Sequence, residues 1–127
     1  MIFKAKKKFT VVIDIDGTIC TTDRINWDDV DEYPEELEKA LLIPRALEVV
    51  NELYNMGYRI IFYTARRERA RSATERWLKH HGFKYHHLVL DKLVGDVYID
   101  DRSINGFEWK DVIDQIEEIH YPDEDWE

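Results

Sequence analysis

One short stretch of the chain, TVVIDIDGT at residues 10–18, joins an apolar run to two aspartates and a turn. The β-branched run at residues 10–15 is typical of a strand buried in a parallel sheet. Asp16 and Gly17 form an Asp-Gly pair, which is a common turn signal. The stretch therefore predicts a buried strand that carries Asp14 and Asp16 to its carboxyl end.

Strand-like and helix-like segments alternate along the rest of the chain. Further strands are predicted at residues 58–64, 85–90 and 96–99. Helical spacing of apolar residues predicts helices at residues 44–56, 66–81 and 109–119. In the last helix, the residues expected to face inward are Trp109, Val112, Ile113, Ile116 and Ile119. This alternation predicts an α/β fold, a single Rossmann-like three-layer domain whose central, mostly parallel sheet has helices on both faces.

The length and the charge of the chain limit its class. With 127 residues, one domain over residues 1–127 is expected, ending in an acidic tail at about residues 120–127. The hydrophobic content of 44% excludes a disordered acidic chain. Of the net charge of −9, residues 108–127 carry −8, so the main body is almost neutral. An acidic balance disfavours a general DNA or membrane-surface binder.

The single cysteine, Cys20, excludes an intrachain disulfide and fits a reducing compartment. The sequence has no apolar region typical of a signal peptide and no transmembrane stretch. A cytoplasmic protein without membrane contact is therefore expected.

Polar residues follow three of the predicted strands. They are Asp14 and Asp16 after the first, Thr64 at the end of the second, and Asp100 and Asp101 after the last. Parallel sheets bind ligands beyond the carboxyl ends of their strands. Any one acidic pair is compatible with a solvated turn, but carboxylates gathered from several strands repel one another unless a cation lies among them. Mg²⁺, which prefers oxygen ligands, is the cation that this pattern favours.

The motifs have a recognisable order. VIDIDGT at residues 12–18 resembles the first motif of the haloacid dehalogenase superfamily, and Thr64 matches the second. Lys92 matches the third motif, and Asp100 with Asp101 the fourth. The phrases YTAR, WLKHHGFKY and YIDDRSIN are also similar to a subgroup of small phosphatase-like proteins, some associated with polysaccharide biosynthesis.

The resemblance implies two catalytic carboxylates. Asp14 would attack phosphorus as the nucleophile, and Asp16 would act as the general acid and then as the general base. Mg²⁺ would bind Asp14, the main-chain carbonyl of Asp16, and at least one of Asp100 and Asp101.

The resemblance also implies a set of groups that bind the substrate phosphate. Thr64 and the N–H of Ala65, expected at a helix start, would bind phosphate oxygens. Lys92 would neutralise charge near Asp14, reaching it from a short loop. Arg66 is adjacent and would hold a second anionic group of the substrate.

The segments in which family members often carry a cap are short here. Residues 17–43 and 65–91 are 27 residues each, which leaves room for a small flap only. A capless enzyme with an open site is therefore expected, and such a site suits a bulky substrate or closure by a second copy in a homodimer. Whether Arg24, Trp27 or the arginines at residues 66–71 contact substrate stays open.

The resulting hypothesis is a magnesium-dependent phosphomonoester hydrolase that forms an aspartyl-phosphate. A sugar phosphate, a nucleotide or a phosphorylated polynucleotide end would fit as substrate, and other nucleic-acid binding is not expected. The first alternative is a phospho-accepting receiver module. In such a module the acidic pair lies on the first strand and the acceptor Asp on a later one. This chain has the reverse order, with DxDGT first and Asp-Asp late, which argues against the alternative. A magnesium-dependent nucleic-acid enzyme should show a basic track, and the chain offers only residues 66–71. An inactive scaffold is disfavoured because every motif residue is present.

Overall fold

The computed structural model describes residues 9–104 and 108–122, so most of the predicted tail lies outside the described residues. The chain divides into two compact units, Met1–Leu93 and Val94–Glu127. Among the described residues, no helix has both the length and the apolarity needed to cross a bilayer.

The first unit is built on a small parallel sheet. Its strands are β1 (Thr10–Ile13), β2 (Arg59–Tyr63) and β3 (His87–Val89), in the order β1-β2-β3. Ile13 pairs with Phe62, and Phe62 with Leu88, so the carboxyl ends of the three strands lie side by side. The predicted α/β class and these three strands are confirmed, and the parallel sheet is consistent with the expected Rossmann-like fold. The three-layer arrangement stays a prediction.

Two α-helices complete the first unit, α1 (Ala46–Asn55) and α2 (Arg71–His81). Short 3-10 helices lie at Trp27–Asp29, Pro34–Lys39 and Glu68–Ala70. The predicted helix at residues 66–81 begins five residues late, so the expectation of a helix start at Ala65 is wrong. The physical reason is that the carbonyl of Arg66 accepts the N–H of Asp91, while the N–H of Ala70 bonds to Arg67.

The core of the first unit lies between β2 and α2. Ile60 and Phe62 of β2 and Leu78 of α2 have no exposed surface. The indole N–H of Trp77 donates to the carbonyl of Ala40 at 3.0 Å, which ties α2 to the segment at residues 17–43. Because the sheet and α2 are both held by this core, the loops between them keep defined positions.

The second unit contains one helix, α3 (Trp109–His120), among its described residues. The strand predicted at residues 96–99 is wrong, since the hydroxyl of Tyr98 accepts the N–H of Gly95 and the segment turns back on itself. The predicted inward face of α3 is also wrong for all but Val112, which is buried; Trp109, Ile113, Ile116 and Ile119 are exposed. Periodicity shows which side of a helix is apolar, and it does not show what covers that side.

Candidate functional site

Asp14 and Asp16 follow the last residue of β1. The Oδ1 atom of Asp14 accepts the N–H of Ile15 at 2.8 Å, and the side chain stays 40% exposed. Gly17 turns the chain with a φ of 78°, a left-handed value that glycine adopts without strain. The expected Asp-Gly turn is therefore present, and it leaves the Asp14 carboxylate open to a ligand.

Thr64 follows β2 and is completely buried. Its hydroxyl oxygen accepts the N–H of Arg66 at 3.2 Å, and its own N–H donates to the carbonyl of Val89 at 2.9 Å. In this arrangement Thr64 braces the loop after β2. Its role as a phosphate ligand, with the N–H of Ala65, stays a prediction.

Lys92 reaches Asp14 because the chain after β3 continues alongside the end of β2. The N–H of Asp91 donates to Arg66, and the N–H of Lys92 donates to Thr64, both at 2.9 Å. These bonds place the Lys92 ammonium 4.0 Å from the Oδ2 atom of Asp14. The structure thus brings Asp14, Thr64 and Lys92 together at one edge of the sheet.

Arg66 forms a paired ion bridge with Asp16 that sequence reasoning missed. Its Nε donates to Oδ2 at 3.0 Å and its Nη2 to Oδ1 at 2.7 Å. The guanidinium is only 2% exposed, and its Nη1 donates to the hydroxyl of buried Thr74 at 3.0 Å. No signal in the sequence links these three residues, because Asp16 and Arg66 are 50 positions apart.

This ion pair changes the electrostatic argument for a metal. Repulsion among strand-end carboxylates is the reason why the sequence predicts a divalent cation. Each of the two carboxylates that follow β1 already faces a cation of the chain, Asp16 with Arg66 and Asp14 with Lys92. Repulsion between these two aspartates therefore does not by itself require a metal.

Cys20 lies against the same ion pair. Its Sγ is 3.7 Å from the Oδ1 of Asp16 and 4.0 Å from the Nη2 of Arg66. Burial, and then the charge of Asp16, raise the pKa of the thiol to about 12. Cys20 is therefore a neutral packing residue and not a thiolate nucleophile.

Asp100 and Asp101 lie in the second unit and are exposed there. The N–H of Arg102 donates to Asp100 at 2.7 Å and holds the pKa of that carboxyl below its usual range. The Nε of Arg102 is 3.9 Å from Asp101. Their assignment as metal ligands stays a prediction from the sequence.

The oxygens near Asp14 suit a hard cation. Asp14 keeps an exposed carboxylate oxygen, whereas both carboxylate oxygens of Asp16 bind Arg66 and leave its main-chain carbonyl for a metal. In the described parts of the chain, no cluster of three or more His, Cys, Asp or Glu side chains could hold an ion. Mg²⁺ needs only one or two carboxylates because it keeps several waters and binds substrate phosphate. The donor set is therefore compatible with Mg²⁺.

A cavity of about 250 Å³ lies between the segment at residues 17–43 and the loop after β2. We call it the flap pocket, and its lining residues are Asp16, Trp27, Val30, Asp31, Ala65, Arg66, Arg67, Arg69 and Ala70. Of the residues whose contacts were left open, Trp27 lines this pocket and Arg24 does not. Arg71 is also outside it and pairs with Glu68 and Glu75.

Comparison with protein families gives a match over residues 11–103 to the family described as "PITM 1-3, LNS2 domain". The chain belongs to this LNS2 family. The matched residues include β1 from Val11 onward, all of β2 and β3, and the segments that carry Asp14, Thr64, Lys92 and Asp101. Membership supports the haloacid dehalogenase-like relationship expected from the motifs. Placement of this LNS2 chain in a small capless subgroup stays a prediction.

Solved structures share the fold of this LNS2 chain at 21% identity. Two of them are a Pnkp1/Rnl/Hen1 complex, with a TM-score of 0.56, and a Pnkp1/Rnl/Hen1 RNA repair complex, with a TM-score of 0.54. They cover 91% and 89% of this chain, which spans only 35% and 32% of theirs. A crystal structure of a target from Vibrio cholerae has a TM-score of 0.58, and the match covers 87% of this chain and 98% of the target chain. No curated protein matches the chain.

Proposed function

We propose that the protein is a phosphomonoester hydrolase that transfers the phosphoryl group to Asp14 and uses Mg²⁺. One observation carries the proposal. Where the parallel strands end, the Lys92 ammonium lies 4.0 Å from an exposed Asp14 carboxylate. A carboxylate nucleophile beside a cation is an arrangement that supports phosphoryl transfer through an aspartyl-phosphate. Membership of the LNS2 family supports the same reaction class.

In the first step, an oxygen of Asp14 bonds to phosphorus while the bond from phosphorus to the leaving oxygen breaks. The negative charge lies on the transferring oxygens and on the leaving oxygen. Lys92 is placed to neutralise the charge on the transferring group. The product of this step is an acyl phosphate on Asp14 and a free alcohol.

Asp16 is proposed to move the protons of both steps. In the first step Asp16 gives its proton to the leaving oxygen. In the second step water attacks phosphorus and gives a proton to Asp16. The bond between phosphorus and the Asp14 oxygen then breaks, and phosphate is released. Because Arg66 donates one hydrogen bond to each oxygen of Asp16, a proton carried by Asp16 must occupy a lone pair that these two bonds leave free.

A bound Mg²⁺ would supply additional positive charge at the transferring phosphoryl group. Asp14 and the main-chain carbonyl of Asp16 are its proposed ligands in the first unit. Asp100 and Asp101 are proposed as further ligands on the sequence resemblance alone.

Asp14→Asn tests the nucleophile. We expect kcat for a generic aryl phosphate to fall by about a thousandfold or more, because the amide cannot form the acyl phosphate. The melting temperature should stay close to that of the unchanged protein. Asp23→Asn, the same change at an exposed turn residue outside the site, is the matched control and should keep full activity. Undiminished turnover by Asp14→Asn would contradict the proposal.

The proposed substrates are sugar phosphates, nucleotides and phosphorylated polynucleotide ends. The Pnkp1-containing structures come from an RNA repair complex, which is the reason to keep polynucleotide ends in the set. A phosphate-release screen over the three substrate classes, with and without Mg²⁺, separates them. If polynucleotide ends are the substrate, their kcat/KM will exceed that of the other two classes.

A further inference from the structure

We infer that the flap pocket binds the leaving group and selects phosphomonoesters that carry a planar ring and a second anionic group, as nucleoside bisphosphates do. The inference rests on the proposed function, because it assigns the leaving-group side of the same site. It adds two specificity residues, Trp27 and Arg69, that the motifs do not include.

The pocket adjoins the reacting groups directly. Asp16 and Arg66, which form the ion pair beside the proposed nucleophile, are also part of its wall. When the leaving-group oxygen of a substrate lies within reach of Asp16, the rest of the leaving group therefore lies at the entrance of the flap pocket. The volume of about 250 Å³ is just below the range of drug-sized ligand sites, so it suits the planar ring, while the second anionic group meets the exposed Arg69.

Arg69 is the cation available to a second anion. Arg66 is occupied by Asp16 and Thr74, and Arg67 lies 3.5 Å from Asp91. Within residues 9–104 and 108–122, the Arg69 side chain makes no hydrogen bond or ion pair. It is also exposed, so an anionic group can approach its guanidinium without breaking an existing contact.

The other wall of the pocket suits a planar ring. Trp27 is 46% exposed, and the apolar residues Val30, Ala65 and Ala70 line the same cavity. An indole face stacks on a heterocyclic ring whatever the exact ring is. Asp31 supplies a carboxylate that can accept a hydrogen bond from a ring N–H or a hydroxyl.

The main chain that carries Trp27 is held in place before any ligand arrives. Asn26 accepts the N–H of Asp28 on its side chain at 3.2 Å and donates to Asp29 at 3.1 Å. The main-chain N–H of Asn26 donates to Glu36 at 2.9 Å. Because these bonds fix the short helix that carries Trp27, little main-chain freedom is lost when a ring stacks there.

The first experiment measures charge selectivity. A nucleoside 3′,5′-bisphosphate and the matching nucleoside 3′-monophosphate are compared by kcat/KM. We expect the bisphosphate to be preferred by roughly tenfold or more, and Arg69→Gln to remove most of that preference while changing the monophosphate little. Arg76→Gln is the matched control, since Arg76 is an exposed arginine of α2 that pairs with Glu38 outside the pocket. An equal loss on both substrates would overturn the role of Arg69.

The second experiment measures ring selectivity. The nucleoside bisphosphate is compared with a sugar bisphosphate that has no ring system for stacking. Trp27→Leu should lower kcat/KM for the nucleoside compound by roughly tenfold and leave the sugar compound unchanged, whereas Trp27→Phe should retain most of the preference. A similar loss for both compounds would show that Trp27 acts only on the fold.

A binding measurement separates this inference from the proposed function. Equilibrium dialysis of both nucleotides with Asp14→Asn, and with Asp14→Asn combined with Arg69→Gln, needs no turnover. Selective binding of the bisphosphate that Arg69→Gln abolishes supports the pocket even if no substrate is hydrolysed, and the proposed function alone then fails. Turnover of an aryl phosphate together with equal binding of both nucleotides overturns the pocket and leaves the proposed function intact.

Discussion

Arg66 joins more parts of the candidate site than any motif residue does. One guanidinium contacts Asp16 through two nitrogens and Thr74 through the third. Lysine could not replace it, because an ammonium group cannot make the two parallel bonds of the fork. Asp14, Thr64 and Lys92 could be predicted from motifs, whereas the pairing of Arg66 with Asp16 needed the fold to bring distant residues together.

A prediction at this scale concerns Cys20. Because the thiol is fully buried and its pKa is raised to about 12, it holds almost no thiolate at pH 8. We expect a thiol-specific reagent to label the native protein at least about a hundredfold more slowly than the protein unfolded in guanidinium chloride. The labelling rate is measured from the absorbance of the chromophore that the reagent releases when it reacts with the thiol.

Cys20→Ser provides the control for that experiment, since Cys20 is the only cysteine and the variant should not be labelled at all. Fast labelling of the native protein would mean that the ion pair of Asp16 and Arg66 is open to solvent in solution.

Helix α2 shows what the spacing of apolar residues can and cannot predict about a single element. Ala70, Ala73 and Trp77, which share one face of the helix predicted at residues 66–81, are all buried, and Ala70 lies in the 3-10 helix that precedes α2. The start of the helix could not be predicted, because the hydrogen bond between the Arg66 carbonyl and Asp91 joins segments that are distant in sequence. The end of the helix could be predicted, because Gly82 follows α2. Its φ of 83° is the left-handed conformation that glycine commonly adopts at the end of a helix.

A prediction for the same helix follows from Gly82. Gly82→Ala should lower the free energy of unfolding by about 1 kcal/mol, because a side chain disfavours the left-handed conformation. An added Cβ would meet no atom within 4 Å, so the cost comes from the backbone alone. Urea denaturation followed by circular dichroism measures the change.

Gly82→Asn separates backbone strain from other effects, since asparagine tolerates the left-handed conformation better than alanine does. We expect a smaller loss of stability for this variant. Equal losses for the alanine and asparagine variants would contradict the explanation.

At the scale of the whole molecule, the two units differ in what the sequence could predict. The order of strands and helices in Met1–Leu93 follows the predicted alternation. In Val94–Glu127 the helix is present, and the predicted strand at residues 96–99 is not. A strand depends on a partner for its hydrogen bonds, and among the described residues no strand pairs with residues 96–99, so the apolar run there was not sufficient.

The metal requirement is a prediction for the whole chain, because its proposed ligands come from both ends of the sequence. Chelation should abolish turnover, and added Mg²⁺ should restore it. Asp100→Asn or Asp101→Asn should raise the half-saturating Mg²⁺ concentration by roughly tenfold or more, since one anionic ligand is lost. Isothermal titration calorimetry compares the Mg²⁺ affinities of the same variants in the absence of substrate.

Asp111→Asn, an exposed change in α3, is the control for these variants and should leave Mg²⁺ binding unaltered. Full activity in the presence of a chelator would contradict the metal requirement. Unchanged Mg²⁺ binding in both Asp100→Asn and Asp101→Asn would remove those residues from the ligand set.

The stretch TVVIDIDGT and its alternating neighbours were enough to predict the α/β class, three of the strands and the meeting of Asp14 with Thr64, and the family resemblance added Lys92 to them. Local patterns carry this information, because the period of apolar residues sets the element and parallel strands deliver their ends to one edge. The ion pair of Asp16 with Arg66 and the flap pocket were visible only in the tertiary structure. Both depend on contacts between segments far apart in sequence, and no local pattern specifies such contacts.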